Sequence, residues 1–142
     1  YLLYFDSRDA ILQDDPQKIL NIFLSKNCKL LFSGTEFNND FQNKKMQYYN
    51  PKVINILKKE NLNDYGKALF EYSKKRANNN TVFLNSGGFI GYIKFIKNTF
   101  QYILNDMKKL GFLHKFNNDD KVLIHNYLPL YSTDEIQIDI YF

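Results

Sequence analysis

The sequence has little of several residues that define special protein classes: one cysteine, no tryptophan, six glycines and three prolines in 142 residues. The single Cys28 excludes an internal disulfide and any zinc site made of cysteine alone, and we expect it to be a buried thiol. The few glycines and prolines follow no period, which excludes a collagenous or fibrous chain. No apolar run reaches the roughly 20 residues of a membrane span. With 44% hydrophobic residues, the composition indicates a globular domain.

The excess of one sign of charge over the other is also small. Nineteen Lys and Arg against fifteen Asp and Glu give a net charge of +4, a small excess that favours anionic ligands such as nucleotide phosphates. A nucleic-acid partner is not predicted, because the basic residues form small separate clusters rather than one stripe. These clusters have the pattern of solvated helix faces and are Lys58–Lys59, Lys74–Arg76 and Lys108–Lys109.

The apolar pattern predicts an α/β fold that begins with strand, helix and strand. An apolar run at 2–5 predicts the first strand, Asp15 and Pro16 mark the start of a helix, and a run at 29–33 predicts the second strand. The polar and aromatic segment 34–50 has no clear period and is expected to be a long loop.

The rest of the chain predicts four more helices and two more strands. Residues 51–77 predict two short helices separated near Asn61–Asn63, and residues 91–109 predict a longer helix. A further short helix is expected at 122–127. The expected strands are residues 81–84 and the alternating Ile136, Ile138 and Ile140.

Two aspartates, Asp6 and Asp9, follow the first predicted strand. Ligands of α/β sheets bind beyond the carboxyl ends of the strands. Carboxylates at that position suit Mg²⁺ or Mn²⁺, which prefer oxygen ligands and often share their coordination with substrate phosphates. The same spacing also suits a helix cap or a solvated loop, so the spacing alone leaves the metal open.

A polar and glycine-rich segment, Asn85, Ser86, Gly87 and Gly88, follows the third predicted strand. It predicts a tight turn. The paired glycines permit positive φ and let a ligand approach the backbone closely. It is no P-loop, because the lysine of that motif is absent. The polar side chains suit the hydroxyls of a sugar, and a turn with ordinary packing glycines is the alternative.

Asp119 and Asp120 stand at the start of the last predicted helix. Helix capping and the helix dipole explain such a pair without any function. His114 and His125 have no metal-ligand partner at a suitable spacing, and we expect neither histidine in the site.

Four motifs follow one another in a specific order: Phe-Asp-Ser-Arg-Asp at 5–9, Leu-Leu-Phe-Ser-Gly at 30–34, Phe-Leu-Asn-Ser-Gly-Gly-Phe-Ile-Gly at 83–91 and Asp-Asp at 119–120. In this order the chain resembles, from residue 3 to about 139, the glycosyltransferase domain of the procollagen lysyl hydroxylase family. The resemblance implies a GT-A fold, a Rossmann-like mixed sheet flanked by helices. It also implies transfer of glucose or galactose from a UDP-sugar to hydroxylysine or galactosyl-hydroxylysine of a collagen-like protein.

The resemblance assigns roles to particular residues. Asp6 and Asp9 correspond to the aspartates that hold Mn²⁺, or Mg²⁺, against the UDP diphosphate. Asp119 and Asp120 correspond to catalytic carboxylates near the transferred sugar. The residues expected to bind the UDP-sugar are Asp6, Ser7, Arg8, Asn85, Ser86, Gly87 and Gly88.

The sequence also departs from the family pattern. Arg8 stands where the family has a tyrosine that stacks on uracil, Lys121 replaces a glutamine, and the usual tryptophan-containing stretch is absent. The alternative is therefore a catalytically degenerate GT-A-like domain that binds or acts as a scaffold without turnover.

The extent of the resemblance predicts an incomplete domain. In the family, nucleotide-binding strands precede the first aspartate motif and a metal-binding histidine follows the last strand. Residues 1–142 are therefore expected to be the central and C-terminal part of one domain, inactive alone, with a helical insertion at 52–80. A homodimer is left open. The resemblance implies the endoplasmic reticulum lumen as the location if the protein is eukaryotic. The abundant Asn, Lys and Ile suggest an AT-rich genome, and for a protein of an AT-rich virus we expect the host cytoplasm or the virion.

Overall fold

The computed structural model describes residues 1–6, 14–35, 47–77, 83–113 and 120–139. The elements in chain order are β1 (Leu2–Phe5), α1 (Pro16–Ser25), β2 (Leu30–Thr35), α2 (Pro51–Lys59), α3 (Tyr65–Lys74), β3 (Phe83–Gly91), α4 (Ile93–Lys109), α5 (Asp120–His125), a 3-10 turn (Leu128–Leu130) and β4 (Ile136–Asp139). The predicted α/β class is confirmed. Within the described ranges, no helix has both the length and the hydropathy to span a membrane.

The four strands form one mixed sheet in the order β1-β3-β2-β4. Strand β3 is antiparallel to both β1 and β2, whereas β4 is parallel to β2. It follows that β1, β2 and β4 all run in one direction. The expected strand-helix-strand unit is therefore present with parallel strands, but β3 lies between them.

The tight turn predicted at Asn85–Gly88 is wrong, because β3 continues through this segment. On one side Gly88 pairs with Phe5. On the other side the register with β2 jumps from Phe32↔Phe89 to Ser33↔Asn85, so three residues of β3 lie opposite a single step of β2. The segment is thus a β-bulge inside a strand that is hydrogen-bonded on both sides, and its polar residues kink the strand rather than reverse it.

The glycines of the bulge are needed for space rather than for an unusual backbone. Among the described residues, positive φ occurs at Asn27, Asn61 and Gly111. A Cβ on Gly88 would lie 3.1 Å from Oγ of Ser33. The paired glycines therefore do not use the positive φ that glycine permits, and close packing against β2 explains Gly88.

Side-chain caps set the starts of three helices. The Asp15 side chain accepts a hydrogen bond from the Gln17 amide, with Pro16 in the first turn of α1. Asn50 caps α2 and Asp64 caps α3 in the same way. These caps satisfy amides that have no partner within the helix.

Helices cover both faces of the sheet. On one face, Leu31 and Ile90 pack with Phe23 of α1 and with the buried Cys28, as expected for that thiol. On the other face lies a larger core that α4, α5 and the 3-10 turn close. Its buried members are Leu30, Phe32, Leu84, Phe89, Ile96, Ile124, Leu128, Ile136 and Ile138.

The predicted helix pair in residues 51–77 is confirmed as α2 and α3. The two helices share a small core of their own, which includes Val53, Leu57 and Tyr72. The chain just after α3 is joined to the sheet, because the Ile138 amide donates to the Arg76 carbonyl at 3.1 Å. That this pair is an insertion in a known domain stays a prediction.

The remaining expectations are met only in part. The predicted loop is wrong at its first two residues, Gly34 and Thr35, which belong to β2. Its segment 36–46 lies outside the described residues, as do Thr81, Val82 and Ile140 of the predicted strands.

Candidate functional site

Asp6 and the bulge of β3 lie side by side at the carboxyl end of β1. The Asp6 amide donates a hydrogen bond to the Gly87 carbonyl at 2.7 Å. A Cβ on Gly87 would lie 3.7 Å from Cβ of Asp6, so the missing side chain leaves room beside the aspartate. The Asp6 side chain is exposed. The first and third sequence motifs are therefore adjacent in space.

Asn85 stabilises the bulge itself. Its Oδ1 accepts a hydrogen bond from the Gly87 amide at 3.1 Å, and its carbonyl accepts one from the Ser33 hydroxyl at 3.2 Å. The Asn85 oxygen is thus occupied by the backbone of its own bulge. Of the four bulge residues, this one has a structural role that the sequence did not predict.

Ser86 connects the bulge to the start of α5. Its side chain is buried, with 6% exposed, and its hydroxyl donates to Oδ1 of Asp120 at 2.9 Å. The Lys121 amide donates to the same oxygen at 3.0 Å. Asp120 is the first residue of α5, where its negative charge is favourable with the helix dipole. For Asp120 the helix-start interpretation is confirmed, whereas Asp119 lies outside the described residues. Asp120 also reaches the bulge through Ser86.

Four of the predicted site residues, Ser7, Arg8, Asp9 and Asp119, lie outside the described residues, as does His114. His125 is fully buried in α5, and its Nδ1 lies 2.8 Å from the Lys121 carbonyl oxygen. Burial lowers the pKa of His125 to about 4, so the imidazole is neutral at pH 7. His125 is therefore a histidine of the protein core.

Of the two predicted metal ligands, Asp6 is among the described residues and Asp9 is not. The described residues contain no group of three or more His, Cys, Asp or Glu side chains placed to hold a metal ion. Asp6 is of the right kind for Mn²⁺ or Mg²⁺, because it is an exposed carboxylate at the carboxyl end of a strand. One fitting ligand does not make a metal centre, and the metal stays a prediction.

A cavity of about 280 Å³ opens beside Ser86 and Asp120. The sequence interpretation missed it, because its walls come from four elements that are distant along the chain. The sequence does contain one signal, which is the broad apolar stripe of α4. In the structure this stripe is wider than the buried face of the helix, and Leu104 remains 48% exposed. The residues that line the cavity are Tyr4, Ser86, Phe89, Phe100, Ile103, Leu104, Asp120, Leu123 and Ile124.

Comparisons of the chain with models of known protein families, with curated proteins and with solved structures found no match. Two observations bear on the function. One is the order of the motifs along the chain, and the other is the arrangement of Asp6, the bulge and Asp120 at one end of the sheet.

Proposed function

We propose that the chain is part of a metal-dependent GT-A glycosyltransferase that moves glucose or galactose from a UDP-sugar to hydroxylysine or galactosyl-hydroxylysine of a collagen-like protein. One observation carries the proposal. Asp6 lies against Gly87, and the adjacent Ser86 holds Asp120, so three separate motifs share one end of the sheet. A sugar-nucleotide site of this family would need that proximity.

The proposed chemistry divides the site in two. Asp6, together with Asp9, would hold Mn²⁺ or Mg²⁺ against the diphosphate of the donor, and the metal would supply charge neutralisation on the departing UDP. Gly87 leaves space beside Asp6 through which the donor approaches the backbone of the bulge.

Asp120, with Asp119, would act on the sugar side of the reaction. The bond from the anomeric carbon to the diphosphate oxygen would break with its electron pair leaving on UDP. The acceptor hydroxyl oxygen would form the new bond, and its proton would pass to a carboxylate of the site or to water. A carboxylate near the anomeric carbon orients the acceptor or stabilises positive charge that develops there. Ser86 is a positioning residue in this scheme, because its hydrogen bond holds one oxygen of Asp120.

Calorimetric titration of the protein with UDP, with and without Mn²⁺, tests the proposal. We expect binding that depends on Mn²⁺ and that weakens about ten-fold or more in Asp6→Asn, since loss of a metal ligand costs at least as much as loss of a supporting residue. Asp134→Asn is the matched control, because Asp134 is also exposed but lies in the turn before β4. Equal affinities of the Asp6 and Asp134 variants would contradict the metal assignment.

The alternative, a degenerate scaffold domain, is distinguished by the same titration and by an activity assay. A scaffold predicts no Mn²⁺-dependent UDP binding. For the enzyme, UDP release from UDP-glucose or UDP-galactose by the full-length protein is expected to be lost in Asp6→Ala and in Asp9→Ala. Unchanged turnover in both variants would overturn the assigned metal ligands.

A further inference from the structure

The cavity beside Asp120 has aromatic walls. The ring of Tyr4 stacks on Phe89 with centroids 4.8 Å apart and planes at 19°. The ring of Phe100 meets Phe89 edge to face, at 5.5 Å and 85°. Aliphatic side chains of α4 and α5 complete the walls. A ligand here would therefore bury an apolar or aromatic body, as is usual for small-molecule sites.

The polar end of the cavity offers hydrogen-bond acceptors. Apart from Tyr4, the polar side chains of its wall are Ser86 and Asp120. The Ser86 hydroxyl already donates its hydrogen to Oδ1 of Asp120, so its oxygen is left as an acceptor. Oδ2 of Asp120 makes no hydrogen bond to another described residue and is a second acceptor. A ligand must therefore bring donors to this end.

We propose that the cavity binds a small organic cation, in which a primary ammonium group is attached to a compact aromatic or aliphatic body. The ammonium group would donate to Asp120 and Ser86, and a charged donor makes the stronger hydrogen bond to a carboxylate. The faces of aromatic rings also attract cations. Anionic ligands are disfavoured, because no described cationic side chain lines the cavity.

The volume limits the size of this ligand. About 280 Å³ is near the lower end of small-molecule sites, which begin at roughly 300 Å³. One ring with a short aliphatic arm fits better than a nucleotide or a peptide. The proposal does not depend on the proposed transferase activity, since binding of a cation needs neither UDP nor a metal.

Titration of the protein with phenethylamine, without UDP or metal, tests the inference by calorimetry and by amide chemical shifts. We expect phenethylamine to bind and to shift the amides of β3 and α5. The neutral 2-phenylethanol should bind about ten-fold more weakly, which is the value of one charged hydrogen bond, and phenylacetate should not bind. Equal binding of the amine and the alcohol, or no binding of the amine, would overturn the proposal.

Two variants with matched controls locate the binding. Asp120→Asn keeps an acceptor for Ser86 but loses the charge, and we expect affinity for phenethylamine to fall about ten-fold or more. Its control is Asp134→Asn. Leu104→Phe adds volume at the half-exposed rim and should abolish binding, whereas Leu24→Phe, at a 49% exposed position of α1, should not. Binding that survives both Asp120→Asn and Leu104→Phe would contradict the assignment, and circular dichroism confirms that each variant is folded.

Discussion

The Ser86 hydroxyl donates a hydrogen bond to Oδ1 of Asp120 at 2.9 Å, and this bond ties the bulge of β3 to the first residue of α5. Ser86 is buried while Asp120 reaches solvent. The buried Ser86 hydroxyl therefore fixes the position of a carboxylate that is exposed to solvent. Both the proposed sugar transfer and the proposed cation site use this carboxylate.

Ser86→Ala is expected to lower the free energy of unfolding by about 1 to 2 kcal/mol, because a partly buried hydrogen bond to a carboxylate is lost. Urea denaturation followed by circular dichroism measures the change. Ser25→Ala is the control, since the Ser25 hydroxyl bonds to the Ile22 carbonyl on the exposed side of α1 and its loss should cost less than about 0.5 kcal/mol. Equal losses would contradict the importance assigned to the Ser86 bond.

Gly91→Ala should destabilise the protein by about 2 kcal/mol or more, because overpacking against rigid atoms strains the sheet. The added Cβ would lie 2.6 Å from the Lys29 carbonyl oxygen and 3.1 Å from Cα of Leu30, both backbone atoms. Gly66→Ala is the matched control, since its Cβ would approach no atom closer than the Asp64 carboxylate at 3.5 Å. Because Gly66 lies in α3, alanine there should stabilise by up to about 1 kcal/mol. Thermal unfolding of the two variants gives the comparison, and a shift of the same sign in both would be inconsistent with it.

Arg76→Met should lower the free energy of unfolding by about 3 kcal/mol, since three backbone carbonyls lose a charged donor. The buried guanidinium donates to the carbonyls of Tyr72 and Leu128 at 2.8 Å, and also to that of Tyr131. It thereby joins α3 to the 3-10 turn, and burial lowers its pKa to about 10. Lys67→Met, at an exposed position of α3, should change stability by less than about 0.5 kcal/mol. Similar urea midpoints for the two variants would refute this role of Arg76.

The buried His125 should make stability depend on pH. Burial lowers its pKa to about 4, against 6.5 in an exposed imidazole, although the hydrogen bond to the Lys121 carbonyl opposes part of this shift. The positive charges of Lys121 and Arg76 add smaller contributions that also lower the pKa. The unfolded chain therefore takes up a proton near pH 6.5 while the folded chain stays neutral. This contribution leaves stability intact above that pH and removes about 3 kcal/mol as the pH falls to about 4.

Urea denaturation at several pH values between 7.5 and 4 measures this loss. His125→Asn is the comparison, because an amide nitrogen can still donate to the Lys121 carbonyl but does not titrate in this range. The variant should be less stable at pH 7.5 and should have a flatter profile. Parallel profiles of the two proteins would assign the loss to other groups.

The helices could be predicted from the sequence because their signals are local. Asp15 and Pro16, for example, stand directly at the start of α1, and the cap lies within two residues of its partner. The two helices predicted in 51–77 also have their apolar positions within one short segment. Such patterns need no knowledge of the rest of the fold.

The sheet and the bulge could not be predicted in the same way. The residues of β3 are paired with Phe5 on one side and with Phe32 on the other, far away along the chain. Two glycines after polar residues indicate a turn locally, but these two partner strands keep the segment extended. The Ser86 to Asp120 contact and the cavity depend on the same long-range pairing. The sequence therefore indicated these polar residues as candidates for a site but could not predict how they are arranged.

The strand order also has a consequence for the way the protein is made. Strands β1 and β2 precede helices α2 and α3 in the chain. The two strands do not pair with each other, and each forms its antiparallel ladder with β3. During synthesis from the amino end, β1 and β2 cannot form these ladders until residues of β3 have left the ribosome. The two strands therefore emerge before their shared partner, and unpaired apolar strands leave the growing chain prone to aggregation until β3 follows.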